Sequence, residues 1–465
     1  MEKIRTYILK KIKPNSEETK KLHEFIRNLL SVAKIAAPKS HPIIVGSTGR
    51  DTWLSGDHDI DLFLMYPKSI SREELEKRGL DSGKKITEML KGKWELKYAE
   101  HPYVHAHIGQ YEVDIVPCYK IKKGEKIKSA VDRSPLHTEY IIQKLDPALR
   151  DEVRLLKQFT KGIGIYGSDA KVQGTSGYTC ELLILAFGRF ERVLKNVAKF
   201  KPGKIIDIES YWSPLEKFEK ELKKKFQGQS LILIDPVDKN RNVTAALSPE
   251  NFVKFVMKAK EFLDSPDIKF FFPENKLLIK QQLNNLKSRK TKFVALSFKK
   301  PDVIDDVLYP QIQKAVERLS KLLEHHGFDT MRKYFFVNEK KVLIIFELET
   351  WVKPVFEKRI GPPIFALKNS KDFLKKYSDA PFGPYVDGDR WVIEKEREGK
   401  SATHLLLDFL RDKPKVLKER GIPSHLADPL SKCDLLEHEE FWDLVEQDKN
   451  LSCFIREKYF ERLII

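Results

Sequence analysis

Two aspartates interrupt an otherwise apolar, strand-forming run, Asp59-Ile60-Asp61-Leu62-Phe63-Leu64-Met65. Successive side chains of a β-strand point to opposite faces of the sheet, so Asp59 and Asp61 share one face while Ile60 and Leu62 share the other. The run therefore predicts a sheet with one acidic face and one face that packs into a core.

A third carboxylate, Asp114, stands in a second apolar run between Val113 and Ile115. A charge in such a strand needs a partner if its face is covered. If the two strands are neighbours, Asp114 joins Asp59 and Asp61, and the three repel one another unless cations neutralise them. Oxygen ligands of this kind select Mg²⁺ or Mn²⁺. With two metal ions about 3.5–4 Å apart, one ion can activate an RNA 3′-hydroxyl, and the other can hold a triphosphate and stabilise the leaving pyrophosphate.

The turn before the first aspartate favours this interpretation over weaker ones. A D-x-D pair by itself also occurs in the metal sites of glycosyltransferases and, more often, in ordinary loops. Here Gly46 lets the backbone approach a phosphate closely, Ser47 offers a hydroxyl and an amide, and Arg50 offers a bidentate charged contact. The alternative is a structural turn in which Ser47 caps a helix and Arg50 is solvated.

Length and charge favour a multidomain protein with a polyanionic partner. A chain of 465 residues exceeds the roughly 250–300 residues that one core supports, so we expect about two to four domains. Lys and Arg outnumber Asp and Glu 85 to 68, and the resulting formal charge of +17 suits nucleic acid or an anionic membrane surface. The alternative is the highly charged surface of a thermophilic protein, although such proteins are enriched in acidic and basic residues together.

Cysteine spacing and apolar runs bear on the compartment. The cysteines are far apart and form no C-x-x-C pair, so they indicate neither a zinc site nor a dense disulfide framework. The N-terminus lacks the continuous apolar core of a signal peptide, and no apolar run reaches the roughly 18 residues of a spanning helix. We therefore expect a cytoplasmic protein that does not act in a membrane.

Hydrophobic periodicity predicts an α/β domain over residues 1–145, a mostly helical domain over 146–264 and an α+β domain over 265–465. In the first domain, further strands are expected at Ile43–Val45, Trp94–Tyr98, Ala106–Ile108 and Tyr111–Pro117. In the second, apolar faces predict helical stretches at Glu152–Lys161, Tyr178–Phe200 and Pro249–Leu263. In the third, a helix from Pro310 to His326 between strand-like runs indicates a β-α-β-β unit.

The acidic strand and the turn before it form one motif, Gly46-Ser47-Thr48-Gly49-Arg50-Asp51-Thr52-Trp53-Leu54-Ser55-Gly56-Asp57-His58-Asp59-Ile60-Asp61-Leu62-Phe63. It closely resembles the signature of the nucleotidyltransferase superfamily that includes DNA polymerase β. In detail it resembles the class I, archaeal CCA-adding enzymes, whose pattern G-S-x-x-R-x-T-x-L-x-G-x-x-D-I-D-x-F it meets at every fixed position. It departs from common members at Gly49, where Ala is more usual. The resemblance implies an α+β multidomain fold with a polymerase-β-like nucleotidyltransferase head, a helical central domain, and an α+β C-terminal body and tail.

Further segments resemble the same family and carry its nucleotide ligands. They are Ala130–Glu139, Leu155–Phe159, Gly162–Gly167, Gly177–Glu181 and Asp235–Val243. By resemblance, His137, Lys157 and Tyr166 bind the triphosphate, and Arg241 helps to read the incoming base because a guanidinium can donate to acceptors of C and A. Without the family context, these residues read as a surface histidine, a solvated lysine, a core-edge tyrosine and an arginine that caps a turn beside Asp235.

The resemblance implies an enzyme that adds C, C and A stepwise to the 3′ end of tRNA from CTP and ATP, without a nucleic-acid template and with release of pyrophosphate. The catalytic Asp59, Asp61 and Asp114 would hold two Mg²⁺ ions, with Mn²⁺ as a substitute. C-terminal segments would grip the tRNA acceptor arm and TΨC stem by shape and phosphate contacts. The sequence leaves a monomer and a homodimer both open.

Three other classes of protein share some of these features. Poly(A) polymerases and oligoadenylate synthetases share the carboxylates, but the family-like C-terminal half has no reason to exist in them. Enzymes that transfer nucleotides to small molecules such as aminoglycosides have short chains, and the charge of +17 would be unexplained. A non-catalytic RNA-binding relative would have no need for Asp59, Asp61 and Asp114 together.

Overall fold

The computed structural model describes residues 2–98, 101–274, 276–397 and 399–461. The chain forms two compact units, Met1–Glu274 and Asn275–Arg462. The domain boundaries expected after residues 145 and 264 stay a prediction. Within the described ranges, no helix is both long enough and apolar enough to cross a membrane.

The first unit begins with a five-stranded sheet made of β1 (His41–Val45), β2 (Asp59–Tyr66), β3 (Lys93–Tyr98), β4 (Pro102–Ile108) and β5 (Tyr111–Tyr119). The order across the sheet is β1-β2-β5-β4-β3. The central neighbours β2 and β5 are parallel, and the other pairs are antiparallel. The strands predicted in this region are confirmed, each somewhat longer than expected.

The two faces of this sheet differ as the alternation predicts. The helices of this part are α1 (Glu2–Ile12), α2 (Ser16–Ala36), α3 (Gly46–Gly49) and α4 (Arg72–Met89). Ile60, Leu62, Val113 and Ile115 are buried in a core that also includes apolar residues of α2 and α4. Asp59 and Asp61 alternate with these residues and therefore lie on the opposite, open face.

The central part of the first unit contains helices and a small sheet: α5 (Arg133–Lys144), α6 (Arg150–Gly162), α7 (Gly177–Phe187), α8 (Phe190–Val197), β6 (Lys204–Ile206), α9 (Leu215–Lys225), β7 (Leu231–Asp235), β8 (Asp238–Asn242) and α10 (Pro249–Asp264). The single helical stretch expected from Tyr178 to Phe200 is wrong. The backbone of Gly188 has a φ of +87°, which ends α7, and a second helix starts at Phe190. The three-stranded sheet was not predicted, because β6 is short and β8 is polar.

The second unit contains α11 (Lys280–Lys287), β9 (Lys292–Lys299), α12 (Asp305–His325), β10 (Thr330–Val337), β11 (Lys341–Leu348), β12 (Phe356–Pro363), α13 (Leu367–Lys376), β13 (Phe382–Asp387), β14 (Arg390–Glu396), α14 (Ala402–Leu410), α15 (Pro414–Glu419), α16 (Ser424–Ser431), β15 (Asp434–Leu436), α17 (His438–Gln447) and α18 (Lys449–Phe460). Its sheets have the orders β10-β11-β9-β15 and β12-β14-β13. The predicted β-α-β-β unit is confirmed as β9-α12-β10-β11. The predicted helix start at Pro310 is wrong, since α12 begins at Asp305 and contains Pro310 in its second turn, where the missing N–H removes one helical hydrogen bond.

Candidate active site

Carboxylates from two neighbouring strands lie together on the open face of the five-stranded sheet. The parallel register pairs Asp61 of β2 with Asp114 of β5, and Asp59 with Glu112. Paired residues of neighbouring strands point to the same side, with the strands about 4.8 Å apart. The structure thus brings together the three predicted carboxylates and adds Glu112, which the sequence analysis did not consider.

Burial and mutual repulsion raise the pKa values in this cluster. Burial, and then the charges of Asp114 and Asp59, raise the pKa of Asp61 to about 6, while the charge of Arg50 opposes the shift. The pKa of Asp59 is also raised, first by burial and then by the charge of Glu112. Cations would relieve this repulsion, and a donor set made of carboxylate oxygens suits a hard divalent ion. The residues present therefore fit a divalent metal site.

Gly46 lies directly against this cluster. Strand β1 ends at Val45, which is paired with Asp61, and the chain then turns at Gly46 with a φ of +69°. A Cβ atom at Gly46 would overlap the carboxylate of Asp61. Ser47 follows in the same short helical turn, α3. Glycine is therefore required here both by the backbone conformation and by the space left beside the carboxylate.

Arg50 and Lys157 are held by one buried carboxylate, Glu181 of α7. Arg50 Nε lies 2.9 Å from Glu181 Oε2, and an Nη of Arg50 lies 3.2 Å from the hydroxyl of Thr138. Lys157 Nζ lies 3.9 Å from Glu181 Oε1 and donates to the hydroxyl of Thr52, which itself donates to Glu181. Burial lowers the pKa of Lys157, and the charge of Glu181 opposes that shift. The Arg50 and Lys157 side chains are therefore neither loose nor solvated.

Helix α6 anchors the segment that connects the turn to β2. Arg154 donates to the carbonyl oxygens of Trp53 and Asp51, each at 2.9 Å, and also to the Asp51 carboxylate. Lys157, one turn later on the same helix, donates to the carbonyl of Thr52 at 2.9 Å. These bonds satisfy backbone groups that a loop would otherwise expose, and they fix the approach to Asp59.

A second buried carboxylate, Asp235 at the end of β7, gathers His137 and Arg241. His137 Nε2 lies 2.9 Å from Asp235 Oδ2, and an Nη of Arg241 lies 2.8 Å from the same oxygen. The Tyr178 ring stacks on His137 with centroids 4.0 Å apart. Burial would raise the pKa of Asp235, but the contacts with His137 and Arg241 hold it below its usual range, while burial lowers the pKa of His137. A neutral His137 that donates to an ionised Asp235 is the consistent state.

Tyr166 completes the predicted ligands and lies beside Lys157. Both approach Gly177 at the start of α7: a Cβ there would be 3.0 Å from the Tyr166 hydroxyl oxygen and 3.2 Å from Lys157 Cε. Burial raises the pKa of Tyr166, so its hydroxyl stays protonated and can donate. The predicted residues therefore fall into a carboxylate cluster at Asp61, a cationic cluster at Glu181 and a third cluster at Asp235.

The sequence analysis did not assign roles to the two anchoring carboxylates, although each had a visible signal. Glu181 interrupts the apolar helical segment Gly177–Phe187, and Asp235 ends the apolar strand Leu231–Asp235. A charge in an apolar element needs a partner, so both carboxylates could have been predicted to bind buried cations, on the same ground as Asp114. His105, which lies 2.5 Å from Asp114 through its Nδ1, was also missed.

Family models match successive parts of the chain. A model described as "Nucleotidyltransferase domain" matches residues 17–137 and confirms the predicted nucleotidyltransferase head. One described as "tRNA nucleotidyltransferase, second domain" matches residues 151–272. One described as "CCA-adding enzyme, C-terminal domain" matches residues 289–432.

Curated relatives match over most of their length. A CCA-adding enzyme of Methanosarcina mazei is 39% identical over 418 residues, which are 88% of this chain and 89% of the relative. One of Methanocaldococcus jannaschii is 39% identical over 383 residues, 81% of this chain and 84% of the relative. A solved structure described as a cytoplasmic RNA terminal U-transferase is 15% identical with a TM-score of 0.44, covering 57% of this chain and 96% of its own.

Proposed function

Because the chain belongs to the family of CCA-adding enzymes, we propose that it adds C, C and A stepwise to the 3′ end of tRNA from CTP and ATP. Addition uses no nucleic-acid template and releases pyrophosphate. The observation that carries the proposal is the pairing of Asp61 with Asp114 beside the turn at Gly46, in a chain that resembles these enzymes over most of its length.

The catalytic carboxylates are Asp59, Asp61 and Asp114, which would hold two Mg²⁺ ions, with Mn²⁺ as a substitute. Such ions, when bound, neutralise the carboxylates, favour ionisation of the attacking 3′-hydroxyl and stabilise the leaving pyrophosphate. The chain's own contribution is to hold three oxygen donors on a rigid sheet, with Asp61 and Asp114 fixed by strand pairing. Because the sheet is rigid, positioning the attacking 3′-hydroxyl and the triphosphate does not require the entropic cost of ordering a flexible loop.

We assign the triphosphate to the turn and to the cationic cluster behind it. Its ligands are Gly46, Ser47, Arg50, His137, Lys157 and Tyr166. Gly46 offers close backbone approach and Ser47 an amide and a hydroxyl. Arg50 and Lys157 are held by Glu181 in a water-poor interior, where a positive charge acts more strongly on a phosphate than it does in water. The supporting observation is that Glu181 holds both cations, with Arg50 Nε at 2.9 Å and Lys157 Nζ at 3.9 Å from its carboxylate oxygens.

We assign reading of the incoming base to Arg241. Its side chain is 36% exposed, and one Nη is fixed by Asp235, so the guanidinium is both oriented and open to a ligand. Guanidinium donors match acceptors on C and A but not the donor edges of G and U. Asp235 orients this reader together with His137.

The macromolecular partner is tRNA, whose phosphates account for the formal charge of +17. We assign binding of the acceptor arm and the TΨC stem to the second unit. Both are double-helical RNA, which proteins recognise mainly by its shape and by contacts with its phosphates. We place the reaction in the cytoplasm, where the free thiols of Cys118, Cys180, Cys433 and Cys453 are stable.

The proposal is tested by the length of the product. The purified chain is incubated with Mg²⁺ and a tRNA transcript that ends at the discriminator base. CTP alone should extend it by two nucleotides, ATP alone by none, and both together by three. A transcript that already ends in CC should accept a single A. A long A or U tail, or no extension, would overturn the proposal.

A further inference from the structure

The open face of the five-stranded sheet continues beyond the catalytic carboxylates onto β4 and β3, where it carries imidazoles. The antiparallel register pairs His105 with Asp114 and His107 with Glu112, and it pairs Glu95 of β3 with His105. All these residues therefore lie on one face, in neighbouring rows. None of them is needed by the function proposed above except Asp114.

The side chains of this group converge. One ligand atom from each of Glu95, His105 and His107 lies within 4.8 Å of the others. Glu112 borders the group, with one oxygen 3.9 Å from His105 Nε2 and the other 3.9 Å from His107 Nδ1. The group joins two nitrogen donors to two carboxylates, a different chemistry from the all-oxygen cluster at Asp61.

His105 is already oriented as metal-ligating histidines are. It is buried, and its Nδ1 lies 2.5 Å from Asp114 Oδ1, so Nδ1 carries the proton that the carboxylate accepts. Nε2 then keeps a free lone pair and lies 3.9 Å from Glu112 Oε2. A histidine that gives one ring N–H to a carboxylate and offers the other nitrogen is the recurring arrangement around zinc and similar ions.

We propose that Glu95, His105 and His107 form a site for a divalent transition-metal ion such as Zn²⁺, with Glu112 as a fourth ligand. Imidazole nitrogen favours such ions over Mg²⁺, and two histidines with carboxylates suit tetrahedral zinc. Ligands about 2.0–2.1 Å from the ion stand roughly 3.4 Å apart, so ligand atoms that now lie within 4.8 Å of one another must approach by up to about 1.4 Å. The side chains of Glu95, His107 and Glu112 are exposed and can make this adjustment while His105 stays fixed.

Such an ion would act on the catalytic cluster through His105. A cation at Nε2 polarises the Nδ1–H group and strengthens its hydrogen bond to Asp114, which restrains that carboxylate. This link rests on the proposed role of Asp114, whereas the metal site itself does not. Failure of metal binding and failure of nucleotide addition are therefore separate results.

The test is a titration of the full chain with Zn²⁺ in excess Mg²⁺, followed by calorimetry, and with Co²⁺, followed by visible absorption. The excess Mg²⁺ is added to compete with Zn²⁺ for the all-oxygen cluster. We expect one equivalent of Zn²⁺ per chain and the intense absorption of low-coordinate Co²⁺. The affinity should fall at least about tenfold in His107→Asn and in Glu95→Gln, as it does when even outer partners of a metal site are lost.

Two control variants separate this site from its surroundings. His404→Asn removes an exposed histidine that pairs with Asp408 on α14, and it should bind Zn²⁺ as the unmodified chain does. Asp59→Asn alters the catalytic cluster and should still bind one equivalent of Zn²⁺ per chain. The proposal is overturned if no equivalent binds in excess Mg²⁺, if His107→Asn and Glu95→Gln bind normally, or if Asp59→Asn abolishes binding as well. Circular dichroism confirms that each variant is folded, and Glu95→Gln, at an exposed side chain, gives the answer should His107→Asn fail to fold.

Discussion

Asp61 of β2 and Asp114 of β5 face each other across the parallel strand pair of the five-stranded sheet. Strand pairing prevents the two carboxylates from moving apart, so their repulsion is built into the fold. Together with burial, it raises the pKa of Asp61 from 3.8 to about 6. The metal-free protein therefore carries a destabilising charge at neutral pH.

Asp61→Asn should stabilise the metal-free protein, and by an amount that depends on pH. The folded state holds the proton of Asp61 more tightly than the unfolded state does, so the unmodified protein gains stability as the pH falls from about 7 toward 4. In EDTA, the variant should have a higher free energy of unfolding by about 1–3 kcal/mol at neutral pH, and the gap should roughly halve by about pH 5. Urea unfolding at both pH values measures this. An equal gap at both would rule out the charge of Asp61 as its cause.

Gly46→Ala should strongly slow nucleotide addition, because the new Cβ displaces the carboxylate of Asp61. A misplacement of about 1 Å near the reacting atoms can cost a hundredfold in rate, which sets the expected loss. Gly56→Ala is the matched control: Gly56 also has a positive φ, of +81°, but a Cβ there meets open space. Both variants should lose about 1–2 kcal/mol of stability. Similar rates for the two variants would contradict the role given to Gly46.

Glu181→Gln should destabilise the protein by about 3–5 kcal/mol, because it leaves Arg50 and Lys157 without the buried carboxylate that compensates them. Glu221→Gln, at an exposed position of α9, should change stability by less than about 0.5 kcal/mol. Urea unfolding of both variants in the same buffer makes the comparison. If Glu181→Gln were no less stable than Glu221→Gln, the Glu181 cluster would not hold the fold as described.

Arg241→Ala should weaken the choice between CTP and UTP. A bidentate contact with a base edge contributes about 1–3 kcal/mol of discrimination, so the ratio of kcat/KM values should fall about 10–100-fold. Lys239→Ala, which removes an exposed cation from the same strand, controls for lost charge. The measurement is the steady-state rate with each nucleotide. An unchanged ratio in Arg241→Ala would remove Arg241 from base selection.

The carboxylate face could be predicted because its pattern is local. Alternation along a strand places Asp59 and Asp61 on one face, and the structure has both there. The pairing of Asp61 with Asp114 joins residues 53 positions apart by strand order, which periodicity does not report. That step was conditional on the two strands being neighbours, and resemblance to a known family supported it.

Contacts between residues that are distant in the sequence could not be predicted from periodicity or from local motifs. Arg50 and Glu181 are separated by 131 positions, and only the packing of α7 behind the turn brings them together. Two other features could have been predicted from the sequence. Gly188 follows a long apolar helix and could have predicted its end, and Glu181 within that helix could have predicted a buried partner. The strands β6 and β8 gave weaker signals, since one is short and the other polar.

The central claim, that the Asp59, Asp61 and Asp114 cluster transfers nucleotides onto tRNA, is tested most directly by single-turnover addition of C with Asp61→Asn. Ligands of a catalytic metal are worth several kcal/mol, so the rate should fall on the order of a thousandfold while the affinity for tRNA is unchanged. Asp57→Asn, which removes a nearby carboxylate paired with Lys161, should stay within a few-fold of the unmodified rate. Retention of most of the activity by Asp61→Asn, or equal losses in the two variants, would contradict the account.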